Sequence, residues 1–158
     1  MTIAKLAGSS CSVSRSLAVL GERWTLLIVR DALAGTTKFE AFRESLQIGT
    51  DILTDRLATL VDSGVLVKVA YQEPGCRARY EYHLTEAGRQ LHVVIGGLQI
   101  WGDANLPRPS GPSTQRLDRS TGKPVRVAFV NEDGRQLSDE KVDVVHRNGF
   151  PNRTGTPS

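Results

Sequence analysis

Three histidines (His83, His92, His146) and two cysteines (Cys11, Cys76) are the residues best able to hold a metal or attack a carbon, and they assemble no site. None stands at the short spacing of a zinc-ligand pair. No nucleophile elbow, phosphate loop or dinucleotide fingerprint occurs. Enzymatic function is therefore not expected, nor is a cofactor or a metal. Two cysteines so far apart cannot staple a secreted scaffold, so reduced thiols are expected. The chemistry that remains is recognition. Arg77 and Arg79 flank Ala78 near a hairpin tip, at the end of the turn-prone QEPGCRA stretch, where two cations suit a narrow nucleic-acid groove or its phosphates. The alternative is a solvated turn with incidental charges. Tyr71, Tyr80 and Tyr82 read as strand-face packing rather than as stacking platforms.

A second group lies between Thr50 and Ser63, where Leu53, Leu57, Leu60 and Val61 follow the spacing of one helical face. At 100° per residue Asp51, Asp55 and Asp62 fall opposite that stripe, and an acidic outer face disfavours phosphate. Asp51 can serve the helix N-terminus, where the macrodipole favours an anion, and an aspartate can accept from cytosine N4. Thr50, Thr54, Arg56, Ala58 and Thr59 complete the candidate DNA surface, with Thr54 and Arg56 on its flanks.

The elements that must position these groups follow from periodicity. Val13, Leu17 and Leu20 predict a helix with one buried face, capped by Ser12 or Ser14 and ended by Gly21. The run from Trp24 to Leu33 is apolar nearly all round and predicts the central core helix, stopped by Gly35. Phe39, Phe42 and Leu46 predict a third, short helix that Gly49 separates from the fourth, and Gly64 closes the fourth. Residues 65–71 and 79–84 switch to strand composition and predict a β-hairpin. Thr85 is the expected N-cap of a long helix reaching Asp103, with Leu91, Val94, Ile95, Leu98 and Trp101 along one side. Gly96 and Gly97 inside it cost stability unless another backbone approaches closely. Residues 107–124 have linker composition. VRVAFV and VDVVHR, around the turn NEDG, predict short strands, and 151–158 read as disordered.

Composition adds bounds. A chain of 158 residues, 39% hydrophobic and 23% charged, suits one domain with an appendage. No apolar run is long enough to span a membrane, and the N-terminus lacks a secretory pattern, so a cytoplasmic protein is expected. The net charge of +3 resides in the tail, because residues 1–106 carry 11 Lys/Arg against 11 Asp/Glu. Bulk charge thus says little about a partner.

Four stretches, CSVSRSLAVLGERWTLLIVRDALAG (11–35), ILTDRLATLVDSGVL (52–66), RYEYHLTEAGRQL (79–91) and WGD (101–103), together resemble the HxlR branch of the MarR-like regulators. The tail TGKPVRVAFVNEDGRQL is similar, more loosely, to the β-rich extension of longer members. The resemblance implies a mainly α winged helix-turn-helix over 1–106, a 107–124 linker and a 125–150 β-hairpin extension. It also implies a transcriptional regulator on double-stranded DNA, a homodimer joined by terminal helices on a near-palindromic operator. The long helix instead packs only on its own domain if no dimer forms. Cys11 stands where some members resemble redox sensors, and it lies just before a helix and four residues from Arg15, which favours a thiolate. A small buried core residue is the other reading of Cys11. A small-molecule or oxidant effector is compatible with both. The competing function is a winged-helix protein–protein module without DNA binding.

Overall fold

The helix expected at the centre forms where the sequence is apolar on most sides: α3 (Thr25–Leu33), with Ile28 and Val29 fully buried. The computed structural model describes residues 3–72, 74–75, 77–112 and 114–145, so Cys76, His146 and the tail 151–158 lie outside the described residues. A short α1 (Ile3–Ala7) and α2 (Ser12–Leu20) precede it. Neither serine caps α2. Cys11 occupies the N-cap, because Ser12 and Ser14 already lie inside the helix. Of the predicted buried face only Leu20 is buried. Val13 is 67% exposed and Leu17 is 47% exposed, since none of the described elements covers that side.

After α3 come α4 (Phe39–Leu46) and α5 (Thr50–Asp62), whose stripes meet α3 through Phe42, Leu53, Leu57 and Leu60. The turn between them is set by Gln47, which takes the left-handed conformation (φ 50°), while Gly49 is the extended N-cap of α5. Ile48 points into the core and anchors this turn. Asp31 joins α3 to α4. Its carboxylate is buried and accepts from Arg30 Nε at 2.8 Å and from the Ser45 hydroxyl at 2.7 Å, which offsets the cost of taking a charge from water.

The hairpin β1 (Leu66–Tyr71) and β2 (Arg79–Leu84) is antiparallel, with Leu66 opposite Leu84 and Tyr71 opposite Arg79. A third, one-residue strand completes it. Lys38 bridges to Glu81, and Tyr82 N–H donates to Thr37 O at 2.8 Å. The helix expected from Thr85 onward is two helices, α6 (Glu86–Gln90) and α7 (His92–Asn105), divided at Leu91. Thr85 does cap the first, accepting from Gly88 N–H at 3.1 Å while donating to Gly64 O at 2.6 Å. Gly88 is required there, for a Cβ would come within 2.2 Å of Val65 O.

The segment with linker composition is folded back onto α7. Leu117 bridges to Pro124, and Arg116 binds His92 and Gln99. Beyond it VRVAFV keeps only β3 (Phe129–Val130) as strand, and its partner is β4 (Gln136–Leu137) rather than VDVVHR, whose described residues 142–145 form no strand; a single 3-10 turn, Asp139–Lys141, follows β4. Short strands follow from lack of cover, since Phe129 and Val130 are both exposed. The architecture is mainly helical, a winged helix-turn-helix with a small C-terminal two-stranded sheet.

Candidate nucleic-acid interface

The core fixes which face of α5 is free. With Leu53, Leu57 and Leu60 pinned inward, Thr50, Asp51, Thr54, Asp55 and Ala58 are all exposed, and Thr59 is half-buried. Both inner threonine hydroxyls donate back into the helix, Thr54 to Thr50 O at 2.8 Å and Thr59 to Asp55 O at 2.9 Å. Their oxygen lone pairs remain free to accept, so these two side chains face a partner as acceptors in this conformation. Arg56 is withdrawn from the outer face. Its side chain is 23% exposed and its guanidinium lies 3.7 Å from the Glu22 carboxylate, which binds α5 to the start of α3.

Positive charge gathers instead at the wing. Arg77 and Arg79 are exposed, Arg79 as the first residue of β2. Two cations that were not singled out from the sequence join them. Lys68 Nζ sits 3.9 Å above the centre of the Tyr80 ring, and Lys38 Nζ lies 5.0 Å from that of Tyr71. A concavity of about 630 Å³ opens between α4 and the hairpin, bordered by Lys38, Arg43, Tyr71 and Arg79. Pairing of residues 37–38 with β2 carries Lys38 to this place, and one bridging residue leaves no period in the sequence by which to find it. Tyr82 packs against the core, and burial pushes its phenol above the usual tyrosine range. Tyr80 is 49% exposed beneath Lys68.

Cys11 lies apart from both elements, partly exposed at the start of α2. The Ser14 backbone N–H and then the Ser14 hydroxyl hold its thiol below the ordinary cysteine value, and Arg15 adds to this. Arg15 meanwhile ties down residues 9–12, donating to Ser9 O at 2.8 Å and to Ser10 O at 3.0 Å. No group of three or more His, Cys, Asp and Glu suited to a metal occurs among the described residues. None of the described helices is long and apolar enough to cross a membrane.

A short bracing helix, a left-handed turn, an exposed second helix and a cationic hairpin define a winged helix-turn-helix protein. A model of the HxlR-like helix-turn-helix family matches residues 19–110, and the chain belongs to that family. It is a family of transcriptional regulators rather than of enzymes. An uncharacterized HTH-type transcriptional regulator of Mycobacterium tuberculosis, Rv3095, is 43% identical over 112 residues, which are 71% of this chain and 70% of that protein. Among solved structures, PA1607, a proposed transcription factor, superposes with a TM-score of 0.78 at 35% identity, covering 90% of this chain and 99% of that one. The redox regulator HypR in its oxidized form is similar at 29% identity and a TM-score of 0.54, over 60% of this chain and 97% of its own.

Proposed function

We propose that the protein is a sequence-specific DNA reader acting as a homodimer on a near-palindromic operator in the cytoplasm. The observation that carries this reading is the placement of the exposed outer face of α5 beside a hairpin bearing Lys68, Arg77 and Arg79. In it α5 enters the major groove through Thr50, Asp51, Thr54, Asp55, Ala58 and Thr59, and the wing holds the flanking phosphates. Arg56 acts indirectly by fixing α5 against Glu22. Residues 1–106 read and dimerise, and Thr114, Arg116 and Val127 of the following segments brace α7.

Dimerisation is supported by the three sides of α7. Ile95 faces the core, and Gly96 faces the chain's own Val127, whose Cγ2 would lie 2.8 Å from an added Cβ. The third side is bare: Val94 and Trp101 are exposed around Gly97, which has open space beside it. Gly97 alone, not the Gly96–Gly97 pair, is thus left for a partner backbone. The lowered thiol pKa of Cys11 and the likeness to HypR support an oxidant-responsive thiol. An intermolecular disulfide formed with oxidant, together with altered DNA binding, tests that role.

The acidic residues Asp51 and Asp55 on the outer face support the second reading, a protein-binding module. Selection from randomised duplexes separates the two. A DNA reader enriches one motif and binds it with a steep salt dependence, and Arg77→Ala or Arg79→Ala lowers the salt slope by about one unit on every duplex. Thr54→Ala costs roughly 1 to 3 kcal/mol on the selected site only. No enrichment, with salt-insensitive binding, establishes the protein-binding alternative.

A further inference from the structure

Between α3, α7 and the strap at 114–116 lies a cavity of about 550 Å³, open on one side. That size falls within the range of roughly 300 to 1,000 Å³ that suits small-molecule sites. Leu26, Leu27 and Leu33 of α3 form one apolar wall, and Ile95 and Leu98 of α7 form the other. Its charged groups fall into two sets with different balances. On α3, Arg30 and Asp31 neutralise each other at 2.7 Å, and the second Asp31 oxygen takes the Ser45 hydroxyl. On the strap, Arg116 donates from Nε to His92 Nε2 at 3.3 Å and from Nη1 to Gln99 Oε1. Neither of those partners is acidic, and among the described residues no carboxylate forms an ion pair with Arg116. One partly buried guanidinium therefore stands at the edge of an apolar cavity with its charge unmatched.

We propose that this cavity binds a small amphipathic monocarboxylate, its carboxylate on Arg116 and its apolar body between the leucines of α3 and α7. A planar guanidinium fork matches a carboxylate in shape. A single unpaired cation also matches a single negative charge. A phosphate monoester would bring nearly two charges and a tightly held hydration shell to a wall made mostly of leucine. His92 and Gln99 orient the guanidinium, so the ligand joins the strap to α7 as well as filling the space beside α3. The inference goes beyond DNA recognition and does not depend on it, because binding is read on the protein alone.

The test is calorimetric titration of the full chain with two probes of equal shape, 4-phenylbutyrate and 4-phenylbutan-1-ol. The carboxylate binds at least about tenfold more tightly, the scale of a hydrogen-bonded charge pair. Arg116→Met removes that preference, the ratio of the two affinities being read within the same variant, while Ala34→Phe at the rim weakens both probes. Circular dichroism verifies that each variant is folded. In the wild type, moreover, the Arg116 Nε–H resonance shifts with the carboxylate and not with the alcohol, a readout that needs no variant. Equal affinity for the two probes, or a preference that survives Arg116→Met, overturns the proposal. So does the absence of binding by either probe at millimolar concentration, including the case where cross-linking places a second copy of the chain in the cavity.

Discussion

The helices α3, α4 and α5 close their apolar stripes on one another, leaving Ile28, Val29, Phe42, Leu53 and Leu60 without exposure. The flanking helices α2 and α7 are built from equally apolar stretches, yet Val13, Leu17, Val94, Leu98 and Trp101 stay at the surface, Trp101 being 59% exposed. Periodicity marks a face that is worth burying, but it does not say what buries it. In the reading head the chain supplies its own cover. On α2 and on the Val94–Trp101 side of α7 no described element does, and exposed apolar faces of this kind mark interaction surfaces.

The two regions should therefore respond to truncation in different currencies. Phe42→Ala removes a fully buried ring where α4 meets the core, and should lower unfolding free energy by about 3 to 5 kcal/mol in urea titrations followed by circular dichroism. Trp101→Glu should leave the chain folded and act on association instead. Removal of a large aromatic anchor from an interface typically costs at least about 2 kcal/mol, or roughly 30-fold in dissociation constant. Sedimentation velocity at micromolar concentration should show a dimer for the wild type and a monomer for the variant. If Trp101→Glu sediments like the wild type, the contrast between the regions fails, and the bare side of α7 has another use.

A smaller effect belongs to the junction between them. Thr85 ends the hairpin, caps α6 and holds Gly64 O, so Thr85→Ala should cost about 1 kcal/mol. Thr85→Ser keeps the hydroxyl and should restore most of it. Equal losses in both variants would point to the lost methyl group rather than to the cap.

The reading head was legible because its signals are repeated and local. Four leucine or valine positions define the inner side of α5, and with it the outward direction of Asp51 and Asp55. What escaped notice depends on single residues or on distant partners. Asp31 is one acid inside an apolar helix, and only the folded chain brings Ser45 to it. Residues 37 and 38 are too few to show alternation, so the third strand and the position of Lys38 were hidden. Arg56 lies on the flank of its helix, where pairing with Glu22 rather than its own angle decides its direction. The break at Leu91 carries no Gly or Pro to announce it. Linker composition at 107–124 was a poor guide for a related reason: polar turns can also be held by their own side chains.

Asp118 shows how that is done, and it supplies the smallest effect expected. Its carboxylate accepts from the Ser120 hydroxyl at 2.7 Å, from Ser120 N–H at 2.8 Å and from the Thr121 hydroxyl at 2.8 Å. These bonds favour the ionised form and draw the pKa from 3.8 to about 2, the Ser120 contacts contributing most. A carboxylate whose pKa is lowered by folding stabilises the fold fully above its unfolded value, and that contribution fades as pH falls toward the folded one. The turn should therefore hold at pH 5 and loosen between about pH 4 and pH 2, while the leucine contacts of α5 contain no group that titrates there. Carbon-detected NMR of the Asp118 carboxyl should give a midpoint near 2 in the wild type. Ser120→Ala should move that midpoint up toward 3.8 by removing the hydroxyl while keeping the backbone donor. A wild-type midpoint already near 3.8 would mean that the strap is not closed by this turn, and the extension would then depend on Thr114, Arg116 and Val127 for its seat on α7.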